Sequence, residues 1–253
     1  RQLSDTSVYK VVDPEKIKED IQVVCSQLIT LCKQLKELAP SSRIKFWLLH
    51  RSSDSTTDIL KGLPTFYIIP KLHKTPIVGR PIVASHSWLL TPASIWLDTA
   101  LQPYVQRIPT VLSDSTSLIK CLEKWDKLPS NCTLFTADVS SLYTNIPTNR
   151  GLALMDRFLT TRDVPKKDFI MQLLRYVLEY NYFAFKGTHY LQIQGTAMGT
   201  PVAVSYANIF MFEAIDTVIQ THFQKDILYY GRYIDDIFAI LTPDCDTKHS
   251  ITV

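Results

Sequence analysis

Two adjacent aspartates near the end of the chain, Asp235 and Asp236, lie between runs of aromatic, aliphatic and β-branched residues at 229–234 and 237–241. This pattern predicts a strand, a tight turn and a second strand, with the acids at the turn. Because the flanking runs favour burial, the acids are predicted to lie at the edge of a core. This feature constrains the fold most, since two carboxylates this close repel each other unless a cation lies between them.

A divalent metal with oxygen ligands is the natural partner for such a pair. The alternative interpretation is an ordinary surface turn, because aspartate side chains often bond nearby backbone in turns. A third acid favours the metal site: residues 133–139 predict a buried strand with Asp138 near its end. Three carboxylates at one sheet edge could hold two Mg²⁺ ions, which can activate a 3′-hydroxyl and stabilise a leaving pyrophosphate.

A second feature is a local excess of positive charge. Between Ile59 and Leu97 there is no Asp or Glu. The cations in this stretch include Lys61, Lys71, Lys74 and Arg80. A patch of this kind binds phosphates, and a solvated lysine-rich loop is the alternative. Two strands predicted at 65–69 and 80–84 would form a hairpin that presents these cations on stiff backbone.

Length and composition set outer limits on the fold. A chain of 253 residues fits one large domain or two small ones. No apolar run approaches the roughly 18 residues of a membrane span. The five cysteines are scattered, without a C-x-x-C pair, which predicts reduced, intracellular thiols and no zinc site. Helical segments mixed with hairpins predict an α+β fold rather than alternating βαβ units.

The helices are predicted from apolar periodicity and capping residues. One begins at Asp13–Pro14 and ends at Pro40, with apolar residues recurring at spacings of three and four. A β-hairpin is predicted at 182–193. Further helices are predicted at 92–107, 114–127, 148–160, 165–181 and 202–222.

Three segments resemble polymerase motifs A, B and C of reverse transcriptases. They are Phe135-Thr-Ala-Asp-Val-Ser-Ser-Leu-Tyr-Thr-Asn-Ile-Pro147, Gln194-Gly-Thr-Ala-Met-Gly199 with Ser205-Tyr-Ala-Asn208, and Arg232-Tyr-Ile-Asp-Asp236. Two more resemble the fingers of Penelope-like retroelements, which are relatives of telomerase: Phe66-Tyr-Ile-Ile-Pro-Lys-Leu-His-Lys74 and Gly79-Arg-Pro-Ile-Val83. Residues 3–10 fit the same family, so the resemblance covers essentially the whole chain.

The resemblance implies a right-hand polymerase fold, in which an antiparallel palm sheet packs on helices beside a fingers subdomain. The implied division is an N-terminal helical segment at 1–50, fingers with the basic hairpin and helices at 51–134, and a palm with motifs A, B and C at 135–253. The chain ends soon after motif C, so it is expected to be a fragment truncated before the thumb.

The resemblance also implies the site. Its catalytic acids are Asp138, Asp235 and Asp236, which with the backbone carbonyl of Val139 bind two Mg²⁺ ions, Mn²⁺ being an alternative. The implied nucleotide-binding residues are Lys71, Lys74, Arg80, Tyr143, Gln194 and Gly195. Arg80 and a lysine, Lys71 or Lys74, would grip the triphosphate. An aromatic ring at Tyr143 would collide with a 2′-hydroxyl and so favour deoxynucleotides; core packing is the alternative role for this residue.

The implied function is RNA-directed DNA polymerisation in a retroelement, by transfer of dNTPs onto a primer 3′-hydroxyl. The implied partners are an RNA template, a DNA primer and dNTPs, with no membrane, and the implied location is the nucleus. A truncated or decayed remnant that only binds nucleic acid is the alternative. An RNA-dependent RNA polymerase shares the same acids, but Tyr143 disfavours it because such an enzyme must accept the 2′-hydroxyl.

Overall fold

A computed structural model describes residues 2–34, 56–72 and 74–245 of the chain. Its strands are β1 (Tyr9–Val11), β2 (Thr65–Lys71), β3 (Val78–Ala84), β4 (Thr133–Asp138), β5 (Tyr182–Phe185), β6 (Thr188–Gln192), β7 (Ile227–Tyr233) and β8 (Asp236–Leu241). Its α-helices are α1 (Pro14–Gln34), α2 (Thr56–Lys61), α3 (Thr91–Val105), α4 (Ser115–Leu122), α5 (Leu142–Asn145), α6 (Thr148–Thr161), α7 (Lys167–Glu179), α8 (Ala203–Met211) and α9 (Thr217–His222).

The chain forms two compact units, each built from two separate stretches of sequence. The first unit is Arg1–Ala100 with Tyr143–Ala203, and the second unit is Leu101–Leu142 with Val204–Val253. The division into an N-terminal segment at 1–50, fingers at 51–134 and a palm at 135–253 stays a prediction.

The first unit contains a five-stranded sheet in the order β1-β6-β5-β2-β3. Its pairs are antiparallel except for a short parallel contact between β2 and β5, at Thr65 and Ala184. One face of this sheet is buried by an aromatic cluster in which the rings of Phe66 and Phe183 stack at 5.5 Å. Burying such rings stabilises the sheet and fixes its register, since a slip of one residue would turn them to solvent.

Helix α1 is amphipathic, as its sequence periodicity predicts. Asp13 caps its first turn by accepting a hydrogen bond from the Glu15 backbone N–H at 2.8 Å. The residues on its inner face are buried: Ile17, Ile21, Val24, Leu28 and Leu31. The predicted end at Pro40 lies outside the described residues.

The second unit contains a three-stranded antiparallel sheet in the order β4-β8-β7. Residues 110–112 extend this sheet beyond β7. The Arg232 N–H donates to the Thr110 carbonyl, and the Leu112 N–H donates to the Arg232 carbonyl, both at 2.8 Å. As a result β7 is hydrogen-bonded on both sides, and the hairpin that it forms with β8 is an inner part of the sheet.

A helical run covers one face of this second sheet. Helix α8 passes through a single π-helical turn, Phe212–Asp216, into α9. Between the run and the sheet lies a largely apolar cavity of about 430 Å³. Its lining includes Phe135, Ala137 and Ile237 from the strands and Ile215, Ile219 and Phe223 from the helical side. The mixed helix and strand content and an antiparallel sheet packed on helices agree with the prediction.

Two helices differ from their predicted extents by more than two residues. For the helix predicted at 114–127, with Ser113 or Asp114 as its cap, the structure shows Asp114 as the cap and α4 as Ser115–Leu122, five residues shorter at its end. The helix predicted at 202–222 is broken by the π-helical turn, which apolar periodicity alone does not reveal. None of the described helices combines the length and apolarity that crossing a bilayer requires.

Candidate active site

The register between β4 and β8 brings together two acids that are far apart in sequence. Asp138, the last residue of β4, lies directly opposite Asp236, the first residue of β8. Residues paired in this way on antiparallel strands project from the same face of the sheet, with Cβ atoms about 4.5–5.5 Å apart. Both residues are exposed, so the two carboxylates share one solvent-facing edge of the sheet.

The third acid, Asp235, lies in the two-residue turn that joins β7 to β8. Its carbonyl accepts a hydrogen bond from the Val139 backbone N–H at 3.3 Å. This bond continues the β4–β8 ladder past Asp138 into the turn. The backbone of Asp138 and Val139 therefore lies beside the backbone of Asp235 and Asp236, which is the juxtaposition that a shared metal site requires.

The turn itself is strained at Ile234, which precedes the two acids. Ile234 has a φ of +57°, a left-handed conformation that β-branched residues rarely adopt. Such a conformation costs on the order of 1–3 kcal/mol and persists only where surrounding structure enforces it. A glycine or asparagine would be the ordinary residue here.

The turn also accepts a hydrogen bond from Arg232, two residues before Ile234. Its side chain is fully buried, and its Nη1 donates to the Ile234 carbonyl at 3.1 Å. Its Nε pairs with the carboxylate of Asp216, also fully buried, at 2.9 Å. Its Nη1 and Nη2 donate to the side-chain and backbone oxygens of Asn208 at 2.6 and 2.7 Å.

Asp216 has two further partners in the second unit. Thr110 Oγ1 donates to its carboxylate at 2.5 Å, and Tyr230 Oη donates to it at 2.8 Å. Burial raises the pKa of Tyr230, and the neighbouring Asp216 charge raises it further. The hydroxyl therefore stays protonated and acts as a donor over the whole physiological range.

Sequence reasoning did not assign a role to this buried network. Two signals were present: Asp216 is an acid within the apolar helical run, and Arg232 is a lone cation within an apolar strand. Buried charges are almost always paired, so each of them predicts a partner without identifying it. Asn208 was recognised as part of motif B but not as an arginine ligand.

The acids have the chemistry that Mg²⁺ prefers, since carboxylate and carbonyl oxygens are hard ligands. Among residues 2–34, 56–72 and 74–245, however, no three His, Cys, Asp or Glu side chains already form a metal-binding group. The register thus brings the backbone positions of Asp138, Asp235 and Asp236 together. Their use as metal ligands, with the Val139 carbonyl, stays a prediction.

The predicted triphosphate-binding residues lie on or beside the hairpin formed by β2 and β3 in the first unit, here called the basic hairpin. Arg80 pairs with Ile69, and Lys71 pairs with Val78. Since alternate residues of a strand share a face, Lys71 and Arg80 project from the same side of the hairpin. Lys74 is exposed in the loop that connects the strands.

The remaining predicted nucleotide-binding residues also meet within the first unit. Thr196 N–H donates to the Tyr143 carbonyl at 2.8 Å, and Gln194 Nε2 donates to the Thr144 carbonyl at 3.2 Å. Gly195 has a φ of +72°, and a Cβ atom there would overlap with the Tyr143 carbonyl oxygen. The chain can approach Tyr143 this closely only because residue 195 is glycine.

The segment 194–199, which contains Gln194 and Gly195, also lies against the basic hairpin. The Val83 N–H donates to the Met198 carbonyl at 2.8 Å, and a Cβ on Gly199 would overlap with the Val83 carbonyl oxygen. Residues 194–199 therefore connect the backbone around Tyr143 to β3, the strand that carries Arg80. The structure brings these parts of the predicted nucleotide-binding set together, while their roles remain predictions.

Comparison with protein families identifies a matching profile. The profile described as reverse transcriptase (RNA-dependent DNA polymerase) matches residues 79–253, more than half of the chain. None of the curated proteins compared with the sequence matches it.

Solved telomerase structures are similar in fold. Apo telomerase from Candida tropicalis has a TM-score of 0.54 and 11% identity, over 78% of this chain and 42% of that one. Telomerase from Candida albicans in complex with a TWJ fragment of telomeric RNA has a TM-score of 0.52 and 12% identity, over 79% and 42%. At such identities the likeness shows the fold alone, and the chain spans less than half of each structure.

Proposed function

The chain belongs to the reverse transcriptase (RNA-dependent DNA polymerase) family, and we propose that it is the fingers and palm core of a polymerase that copies RNA into DNA. In this proposal it adopts the right-hand arrangement and adds dNTPs to a primer 3′-hydroxyl by two-metal nucleotidyl transfer. The observation that carries the proposal is the register of the second sheet, in which Asp138 lies opposite Asp236 and Val139 bonds to Asp235.

In the second unit, the carboxylates of Asp138, Asp235 and Asp236 and the Val139 carbonyl would hold two Mg²⁺ ions. When bound, such ions supply Lewis acidity that activates the 3′-hydroxyl and neutralises charge on the leaving pyrophosphate. The protein's part is to fix the ligands on sheet backbone, because ligands on rigid elements keep their geometry.

In the first unit, Arg80 and Lys71 or Lys74 would bind the triphosphate, with Arg80 offering two parallel hydrogen bonds to phosphate oxygens. Tyr143 would exclude the 2′-hydroxyl of a ribonucleotide. Gln194 and Gly195, held against the Tyr143 backbone, would support the nucleotide and the template base. A retroelement of the Penelope-like type is the proposed source of the polymerase, supported by the segments at 66–74 and 79–83, and its proposed site of action is the nucleus.

Primer extension tests this proposal. We expect the chain, given an RNA template, a DNA primer, dNTPs and Mg²⁺, to incorporate deoxynucleotides. Asp235→Asn should lower the rate by at least about 10²-fold, whereas Asp244→Asn, an exposed acid of the same unit outside the cluster, should have no effect. In the same assay, Tyr143→Ala should increase the incorporation of ribonucleotides.

The alternative, a protein that binds nucleic acid without catalysis, is favoured by the basic hairpin, where Tyr67 and Ile69 are 46% and 45% exposed on the face that carries Lys71 and Arg80. An aromatic ring beside cations suits single-stranded nucleic acid. Binding that weakens steeply with salt, together with no incorporation in wild type, would support this alternative. Incorporation that Asp235→Asn leaves unchanged would contradict the metal assignment.

A further inference from the structure

The guanidinium of Arg232 connects the helical run of the second unit to the turn that carries the acids. The side chains of Arg232 and Asp216 both have 0% exposure. A buried arginine needs hydrogen-bond acceptors for its donors, because water cannot supply them. Asp216 and Asn208 on the helical side and Ile234 on the turn supply these acceptors.

The helical run is shaped to present its two acceptor residues together. In an α-helix, residues seven positions apart are about two turns apart and point in nearly the same direction. Asn208 and Asp216 are eight positions apart, so in a regular α-helix they would point in different directions. The π-helical turn at Phe212–Asp216 accommodates one extra residue, which returns Asp216 to the face of Asn208. The Asn208 amide is oriented as well: its Nδ2 donates to the Val204 carbonyl at 3.1 Å, which directs Oδ1 toward Arg232.

The turn contact lies where the backbone is strained. The Ile234 carbonyl belongs to the peptide bond between Ile234 and Asp235, so fixing this oxygen fixes the orientation of that peptide plane. Since Ile234 has a φ of +57°, isoleucine by itself would favour a different backbone conformation. An arginine locked by Asp216 and Asn208 opposes that change.

We propose that Arg232 is a positioning residue, whose guanidinium, locked by Asp216 and Asn208, holds the Ile234–Asp235 peptide in the conformation that aims the Asp235 carboxylate toward Asp138 and Asp236. This rests on the proposed function insofar as the acids bind metal. The device acts through the backbone, and Arg232 itself touches neither metal nor nucleotide.

Lysine cannot replace arginine in this role. The guanidinium is a planar fork whose Nε, Nη1 and Nη2 reach Asp216, Asn208 and Ile234 at once. A lysine at this position keeps the positive charge beside Asp216 but has a single nitrogen. Arg232→Lys therefore separates the charge of residue 232 from its ability to hold the turn.

The chain offers a matched control in Tyr230→Phe. The Tyr230 hydroxyl donates to the same Asp216 carboxylate, so its loss weakens the same buried network. It leaves the contact between Arg232 and Ile234 in place. Comparison of the two variants therefore distinguishes the effect of weakening the network around Asp216 from the effect of losing the hydrogen bond between Arg232 and Ile234.

The first measurement uses the Ile234 methyl group. Samples of the whole chain are labelled at isoleucine methyl carbons for NMR, and the Ile234 signal is assigned by its disappearance in Ile234→Val. We expect Arg232→Lys to shift or broaden this signal, while Tyr230→Phe leaves it near its wild-type position. Equal changes in the two variants would overturn the proposal, whatever the activity of the chain.

The second measurement is Mn²⁺ binding, followed by the electron paramagnetic resonance of the free ion. Asp138→Asn tests the proposed function, and it should weaken Mn²⁺ binding sharply. Arg232→Lys should raise the dissociation constant about 10- to 100-fold, as expected for groups that orient metal ligands, and Tyr230→Phe should not. If Asp138→Asn leaves Mn²⁺ binding unchanged, the metal assignment is wrong. The Ile234 methyl signal still tests the role of Arg232 in that case.

Two further variants keep the proposal testable if Arg232→Lys does not fold. Asn208→Ala retains the ion pair and frees one edge of the guanidinium, so it should change the Ile234 signal more than Tyr230→Phe does. Ile234→Gly removes the conformational strain, because glycine adopts positive φ readily. Combined with Asn208→Ala, it should restore Mn²⁺ affinity toward the wild-type value; no recovery would contradict a role in holding the turn.

Discussion

The two β-hairpins predicted to carry the chemistry differ in how they are supported. The basic hairpin of β2 and β3 projects apolar side chains into solvent, with Leu72 77% and Ile77 65% exposed in its loop. The hairpin of β7 and β8, here called the acidic hairpin, has a two-residue turn whose Ile234 carbonyl accepts a hydrogen bond from the fully buried Arg232. Near its loop, the basic hairpin is held mainly by the hydrogen bonds between β2 and β3. The turn of the acidic hairpin is also held by the buried ion pair of Arg232 and Asp216.

This difference matches what each set of charges would do in the proposed reaction. Lysine and arginine reach a phosphate through long side chains, so small backbone movements are tolerated. Carboxylates that share small divalent ions must hold their oxygens within a few tenths of an ångström of fixed positions. In the proposed reaction the acids need the more exact positions, and the acidic hairpin is the one whose turn accepts a hydrogen bond from a buried arginine.

Removing the support of the acidic hairpin should give the largest effect. Asp216→Ala leaves the buried Arg232 charge without its carboxylate, which should lower the free energy of unfolding by about 3–5 kcal/mol. Urea denaturation followed by circular dichroism measures this loss. Glu179→Gln, which breaks an exposed pair with Arg175 on α7, is the control and should cost at most about 1 kcal/mol. Equal losses would remove the distinction between the two kinds of support.

The opposite response is expected in the basic hairpin. Arg80→Gln should change the free energy of unfolding by less than about 0.5 kcal/mol, because the side chain is exposed. It should raise the KM for dNTPs about tenfold or more, since charge-assisted hydrogen bonds to phosphate are lost. Steady-state primer extension measures the change, with Lys10→Gln, an exposed cation of β1, as the control. A stability loss comparable to that of Asp216→Ala would mean that the basic hairpin is also held by its charges.

A smaller effect is expected from alkaline pH, through Tyr230 beneath the acidic hairpin. Its pKa is raised in the folded protein, first by burial and then by Asp216, so the unfolded chain loses this proton at lower pH. Stability should therefore fall as pH rises above about 10, by up to about 1.4 kcal/mol per pH unit from this residue. In urea unfolding measured from pH 9 to 11, Tyr230→Phe should make the free energy of unfolding fall less steeply with pH. An equal slope in the variant and the wild type would contradict this role of Tyr230.

Local patterns in the sequence were enough for most elements near the site. Runs of aromatic, aliphatic and β-branched residues on both sides of Asp235 and Asp236 predicted the acidic hairpin. Its turn is Ile234–Asp235 rather than the two acids, because Asp236 already pairs with Tyr233 and Asp138 as the first residue of β8. The basic hairpin was also predicted, although its strands extend to Lys71 and begin at Val78, beyond the predicted bounds. Hairpins are local structures whose turn and alternation are encoded within one stretch.

Other features could not be predicted because they depend on residues distant in sequence. The side chain that supports Ile234 belongs to Arg232, but Arg232 is fixed by Asn208 and Asp216 from another element. The extra residue in the π-helical turn that aligns these two acceptors leaves no clear periodicity signal. The close approach of Gly195 to Tyr143 likewise joins two separate segments of the first unit.

The sequence by itself determined an α+β chain, the approximate positions of both hairpins, and the order of motifs typical of reverse transcriptases, since these follow from neighbouring residues. Only the tertiary structure decided that Asp138 lies opposite Asp236, that Arg232 and Asp216 share one buried site, and that each compact unit combines two separate stretches. The physical reason is that strand register and charge burial are set by packing between distant segments, whose free energy no local pattern contains.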